Sequence, residues 1–159
     1  MSQPLETRPR LLLVDDEKAN ITVLSAALDG AYELVVARDG EEALRLARAL
    51  ARPDLILLDV MMPGPNGFAV CQELKNDPAT ADIPIIFVTS ITDNVNEEVG
   101  LKLGAVDYIT KPISPPIVRA RVAVHLRLKL QNEFLSRLLD QRTKDLESAR
   151  REARRLMGG

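Results

Sequence analysis

Asp15 and Asp16 follow the apolar run Leu11-Leu12-Leu13-Val14, and Asp59 follows Leu55-Ile56-Leu57-Leu58. Two further apolar runs lead into a hydroxyl and a cation: Ile85-Ile86-Phe87-Val88 into Thr89, and Tyr108-Ile109-Thr110 into Lys111-Pro112. If the runs are parallel strands of one sheet, all these polar groups lie along a single edge, where open α/β sheets hold their ligands. Clustered carboxylates beside a hydroxyl and a lysine suit Mg²⁺-assisted chemistry on a phosphoryl group, whose charge must be offset as it moves.

The elements that would place these groups are legible from the pattern. Short apolar runs alternate with amphipathic stretches, as in βαβ units that build a parallel sheet. The runs Leu11–Val14, Leu34–Ala37, Leu55–Leu58 and Ile85–Val88 are continuous, the expectation for strands covered on both faces. The shorter run at Tyr108–Thr110 belongs at a sheet edge. Ile21, Leu24 and Leu28 mark one helical face, and Ala43, Leu44, Ala47 and Leu50 another. Asp39-Gly40-Glu41-Glu42 reads as a helix N-cap with an acid three residues on, and Asn94 with Glu97 repeats that spacing. Ser114-Pro115 opens the last helix, and Gly104 closes the one before it. Five strands and five helices result.

With 159 residues, 46% of them hydrophobic, the chain suits one domain plus an extension. Two Tyr, three Phe and no Trp leave the core to aliphatic side chains. No stretch approaches the ~18 apolar residues that span a bilayer. The polar start, Met1 to Arg10, has no apolar signal region. The single cysteine, Cys71, excludes an internal disulfide and a cysteine-based metal site. A cytoplasmic location is the expectation. Charge divides unevenly: residues 1–116 carry 10 Lys/Arg against 18 Asp/Glu, and residues 117–159 carry 11 against 5. A basic half can serve nucleic acid, but one charged helix without a helix-turn-helix pattern or base-reading aromatics points instead to a solvated surface.

From Ile117 to Leu156 there is neither Pro nor Gly. A helix of that length would reach roughly 60 Å. Heptad a positions fall on His125, Asn132, Leu139, Leu146 and Ala153, and d positions on Leu128, Leu135, Arg142, Ala149 and Leu156, of which seven are apolar. Asn132 at an a position favours a parallel, in-register homodimer, since its amide is satisfied by its twin. Asp145 at g would face Arg150 at e of the partner helix. The competing reading is a single helix folded back on its own domain.

Val14-Asp15-Asp16-Glu17, Leu57-Leu58-Asp59-Val60-Met61-Met62-Pro63-Gly64, Val88-Thr89-Ser90 and Thr110-Lys111-Pro112, in this order and at these separations, resemble the receiver domain of two-component response regulators. The resemblance covers about residues 8–127. It implies a flavodoxin-like, doubly wound, five-stranded parallel sheet with five helices, and the heptad pattern extends the last into a coiled coil. The corresponding divisions are a disordered terminus at 1–8, a receiver at 9–127 and a signalling helix at 128–159.

By the same resemblance, Asp59 is the phosphoacceptor, attacking a phosphohistidine on a sensor histidine kinase or phosphotransfer protein. Asp15, Asp16, Asp59 and the Met61 backbone carbonyl would be the protein ligands of Mg²⁺, which takes few carboxylates and retains waters. Lys111 would pair with a phosphoryl oxygen, aimed inward by a cis bond before Pro112. Thr89 and Tyr108 would form the switch, the hydroxyl moving toward the phosphoryl and the ring turning inward behind it. Met61 and Ile91 occupy positions flanking the path of hydrolytic water. Both are apolar, so slow loss of the phosphoryl group is expected, while the small Ser90 leaves it open to a donor.

Taken singly, each residue has a plainer reading. Asp15 or Asp16 can cap the helix that follows. Asp59 can be a loop-start acid, Lys111 a surface lysine, Thr89 a strand-end residue and Tyr108 a half-buried aromatic. The segment from Gly104 to Pro116, running into Val118–Val122, resembles receivers joined to HD-GYP phosphodiesterases or GGDEF diguanylate cyclases acting on cyclic di-GMP. Hence the expected role is a phosphorylation-controlled switch with no enzymatic output of its own. Two alternatives stand beside it. One is a Mg²⁺-dependent phosphatase of the haloacid-dehalogenase type, which usually wants an Asp two residues after its nucleophile. The other is a silent receiver acting as a dimerising adaptor.

Overall fold

The continuous apolar runs are strands. In the computed structural model, which describes residues 7–90 and 94–158, the elements are β1 (Arg10–Val14), α1 (Lys18–Leu28), β2 (Glu33–Ala37), α2 (Gly40–Ala47), β3 (Leu55–Leu58), α3 (Gly67–Asn76), β4 (Ile85–Thr89), α4 (Asn94–Lys102), β5 (Asp107–Thr110) and α5 (Pro115–Met157). The strands form one parallel sheet in the order β2-β1-β3-β4-β5. The connection leaving β1 runs to β2 on one side and the connection leaving β3 runs to β4 on the other, so the topological switch point lies at the carboxyl ends of β1 and β3. The chain divides into two units, one ending at Leu126 and one spanning Arg127–Gly159.

Strand burial follows position in the sheet. Every residue of β3 and β4 is buried, and four of the five in β1. β2 is not covered on both faces as its apolar run suggests: its pattern is one exposed, three half-buried and one buried residue. As an edge strand it has only one neighbour, β1. β5 is the other edge.

Period-two alternation sends successive side chains to two separate cores. One holds Leu12, Val14, Ile56, Leu58, Phe87 and Tyr108 with Ala43 and Ala47 of α2 and Val70, Cys71 and Leu74 of α3. The other holds Leu11, Leu13, Leu57, Val88 and Ile109 with Leu24 and Leu28 of α1 and Val118, Val122 and Leu126 of α5. The sulfur of Cys71 lies 3.8 Å from the Leu103 carbonyl, and burial pushes its thiol up to about 11.

Helix ends agree with the local sequence in part. Asp39 caps α2 by accepting from the Glu42 N–H at 2.8 Å, but the Glu42 carboxylate accepts from the Arg38 N–H instead of closing a reciprocal box on Asp39. α5 starts at Pro115, and the Val118 N–H donates to the Ser114 carbonyl. Gly104 has φ +105°, a conformation that side chains rarely adopt. The Asn94 side chain, expected to cap α4, lies outside the described residues, as do Ile91 and residues 1–6. Leu50 does not extend the apolar face of α2: the helix ends at Ala47 and Leu50 is fully exposed.

In the second unit Leu128, Leu135, Leu139, Leu146 and Leu156 are all exposed. His125, the first expected a position, belongs to the first unit and is engaged there, with Nε2 at 2.8 Å from Asp107 Oδ2. Leu128 is therefore the first of the expected a and d positions left open.

Candidate functional site

The sheet ladder continues one residue past the strand ends and aligns the polar groups. The Asp15 N–H donates to the Ala37 carbonyl, the Asp59 N–H to Val14 and the Lys111 N–H to Thr89. Because Val14 pairs with Leu58 in register, Asp15 and Asp59 emerge side by side. Thr89 pairs with Thr110, which puts Lys111 one step beyond the neighbouring strand end.

One carboxylate oxygen from each of Asp15, Asp16 and Asp59 lies within 4.8 Å of the others. Asp15 and Asp59 are almost wholly buried, and Asp16 is half-buried. Lys111 Nζ is 2.9 Å from Asp15 Oδ2 and 3.5 Å from Asp59 Oδ1. The other Asp15 oxygen accepts from the Glu17 N–H at 2.8 Å, which tightens the turn into α1. Asp15 is thus no cap of that helix; its N-cap is Glu17, which makes no side-chain capping bond. Arg38 anchors the adjoining residue by donating to the Asp16 carbonyl at 2.9 Å. Lys111-Pro112 is a cis peptide bond.

Asp15 and Asp59 share one lysine, and the imbalance shows in the titration of Asp59. Burial first, then the Asp15 charge, pushes Asp59 up to about 6; Lys111 and a 3.4 Å hydrogen bond from the Met61 N–H pull the other way. Burial also works against the Lys111 charge, but the Asp15 hydrogen bond and the charges of Asp59 and Asp15 outweigh it, so its pKa is raised. A compact, all-oxygen, net-negative donor set of this kind fits a small hard dication. With a divalent ion bound, the site would gain charge neutralisation for a transferring phosphoryl group.

Thr89 is buried at the carboxyl end of β4. Tyr108 is buried too, its ring packed edge-on against Phe87 at 6.5 Å between centroids, and Phe87 meets Phe68 in the same manner at 5.2 Å. Burial and the Glu97 charge raise the Tyr108 pKa. Met61 is 63% exposed at the mouth of the site.

Two contributors carry no signal in the sequence pattern. Gly67, at the start of α3, sits against the backbone of Asp59: a Cβ there would overlap the Asp59 carbonyl and approach Val60 Cα to 2.8 Å. Its N–H donates to the Val60 carbonyl at 2.9 Å. Asn66-Gly67 reads as a turn, and nothing local announces that α3 must press on β3. Arg38 is equally silent, being one exposed arginine among many.

A family model described as the response regulator receiver domain matches residues 11–123. The chain belongs to the response regulator receiver family. The receiver is 47% identical over 122 residues to Response regulator PleD of Caulobacter vibrioides, covering 76% of this chain and 27% of that one. It is 40% identical over 125 residues to a probable cyclic di-GMP phosphodiesterase of Vibrio cholerae, covering 79% and 28%. It is 42% identical over 135 residues to the probable transcriptional regulator ycf27 of Guillardia theta, covering 84% and 52%. Among solved structures, a putative response regulator from Chloroflexus aurantiacus superposes with a TM-score of 0.71 at 35% identity, covering 76% of this chain and 99% of that one. The BeF3-activated DrrB receiver domain gives 0.67 at 30%, covering 76% and 99%. The chain spans between 27% and 52% of the length of these curated relatives. The receiver is a phosphorylation-dependent signalling switch. Among the described residues no helix is long and apolar enough to cross a membrane.

Proposed function

We propose that Asp59 is the residue that accepts the phosphoryl group, from a phosphohistidine on a sensor kinase or phosphotransfer protein in the cytoplasm. The observation that carries this reading is the gathering of Asp59, a residue only 3% exposed, with the Asp15 and Asp16 carboxylates and with Lys111 at one edge of the sheet. A carboxylate oxygen of Asp59 attacks phosphorus, the imidazole nitrogen leaves, and an acyl phosphate forms. Asp15, Asp16 and Asp59, with the Met61 carbonyl, would hold Mg²⁺. The Lys111 ammonium moves from balancing two carboxylates to pairing with a phosphoryl oxygen, a charge-assisted bond of the stronger kind. Thr89 then donates its hydroxyl to the same group, and Tyr108 occupies the space behind it.

The consequence is carried by α5. Its second unit forms a parallel dimer through Leu128, Leu135, Leu139, Leu146 and Leu156, with Asn132 fixing register. The output is a separate segment or partner, and similarity to the probable cyclic di-GMP phosphodiesterase of Vibrio cholerae favours cyclic di-GMP turnover. A haloacid-dehalogenase-type phosphatase fits less well, because the position two residues after Asp59 holds Met61 and no acid. Acetyl phosphate with Mg²⁺ tests the core of this reading. One phosphoryl group per wild-type chain, located on residue 59 and absent from Asp59→Asn, is the expected result. Labelling elsewhere, or none, overturns it.

A further inference from the structure

The sequence draws no attention to Asp107, yet its carboxylate ties together two elements that the switch needs. Oδ1 accepts from Arg121 Nη1 at 2.7 Å and from the Tyr108 N–H at 2.8 Å, and Oδ2 lies 2.8 Å from His125 Nε2. Arg121 and His125 are four residues apart on α5 and so share one helix face. Burial works against the Asp107 charge, but the His125 and Arg121 hydrogen bonds and the Tyr108 N–H outweigh it and hold the carboxyl below its usual range. The Asp107 carboxylate therefore pairs with the Arg121 guanidinium in the folded receiver at neutral pH. His125 is only 15% exposed at its side chain, so the tie is partly shielded from solvent.

Position within β5 gives this cluster its consequence. Alternation along the strand turns Tyr108 toward the core that contains Phe87, and Ile109 toward the core that contains Val118, Val122 and Leu126 of α5. Asp107 shares the phase of Ile109 and grips α5 on that side. One short strand thus carries the proposed switch ring on one face and a hold on the root of α5 on the other. A displacement of the backbone at residues 107 and 108 moves both, because the same peptide N–H is a ligand of the carboxylate.

Building on the proposed phosphorylation relay, we infer that Asp107 is the joint through which β5 steers α5. Arg121 and His125 are positioning residues, acting through Asp107 on the Tyr108 peptide. None of the three touches the acidic site, so phosphoryl uptake does not depend on them.

The test uses the full chain with beryllofluoride and Mg²⁺ as the stand-in for phosphorylated Asp59. Hydrogen exchange is followed over residues 127–157, and the Tyr108 amide resonance is recorded alongside. Wild type is expected to change exchange over 127–157 on beryllofluoride binding. Asp107→Asn and His125→Leu are expected to lose that change while taking up phosphoryl from acetyl phosphate at the wild-type rate. His125→Gln, which keeps a side-chain N–H donor, should restore it. Arg121→Ala removes a half-exposed side chain, perturbs folding least, and should weaken the response and shift the Tyr108 amide. A wild-type response that survives in Asp107→Asn, His125→Leu and Arg121→Ala overturns the joint alone. A wild-type chain that loads beryllofluoride without any change over 127–157 overturns the relay through α5, and the joint with it.

Discussion

Replacing Asp59 by Asn should make the metal-free protein more stable, by an amount that its surroundings set. Asp59 ionises at about 6 in the folded chain against 3.8 in an ordinary setting, because of burial and the Asp15 charge. That gap corresponds to ~3 kcal/mol held against the folded state once both forms are ionised. The sign follows from the raised value. Below the ordinary range the carboxyl is protonated folded or unfolded and costs nothing. As pH rises, the unfolded chain ionises first, and the penalty is complete only above about 6. Asn abolishes the ionisation, leaves Lys111 its 2.9 Å partner Asp15, and keeps an oxygen for the Met61 N–H. Relaxation around the site trims the gain to about 2 kcal/mol at pH 8, or a rise in Tm of ~4–8 °C for a chain of this size. Urea unfolding in EDTA measures it, followed through Tyr32 and Tyr108, the two tyrosines, both in the first unit. The gain should fade between pH 6 and 4. A variant that is no more stable at pH 8, or one whose gain persists at pH 4, would refute the electrostatic account.

The remaining expectations concern the same site and its supports. Mg²⁺ competes with the proton on Asp59, so its affinity should be constant above neutrality and fall as pH drops through about 6, read by titration calorimetry; a flat profile removes Asp59 from the ligand set. Lys111→Met leaves the Asp15 and Asp59 carboxylates without their cation and should cost about 3 kcal/mol of stability, with phosphoryl uptake from acetyl phosphate reduced by at least ~tenfold. Gly67→Ala forces α3 away from the Asp59 carbonyl; it should lower stability by ~2 kcal/mol and slow phosphorylation although no ligand is touched. Phosphoryl loss from Asp59 should be slow, since Met61 offers no polar group to orient water; complete decay of the loaded protein within seconds of removing acetyl phosphate would exclude this.

Reading from sequence worked best where side-chain chemistry and strand ends coincide. Asp15, Asp59, Thr89 and Lys111 each follow an apolar run, and a parallel sheet leaves such residues one edge on which to meet. The run at β2 misled because continuity of Leu34–Ala37 says nothing about sheet order; with β1 as its only neighbour the strand stays half-exposed. Leu50 matched a helical period by chance, beyond the end of α2. Gly67, Arg38 and the Asp107 cluster were hidden for a common reason. Each owes its role to how one element packs on another, and local pattern is blind to that. His125 shows the cost: periodicity assigned it to a seam between copies, while tertiary contact commits it to Asp107.

The seclusion of Cys71 has a practical corollary for following this switch in motion. Its thiol is inaccessible and, at about 11, almost entirely un-ionised at neutral pH, so it reacts poorly with maleimides and methanethiosulfonates. A cysteine introduced on the solvent face of the second unit would then be the one reactive thiol in the chain. Probes there could report whether the two helices of the proposed pair approach one another with and without a phosphoryl group, with the native background left intact.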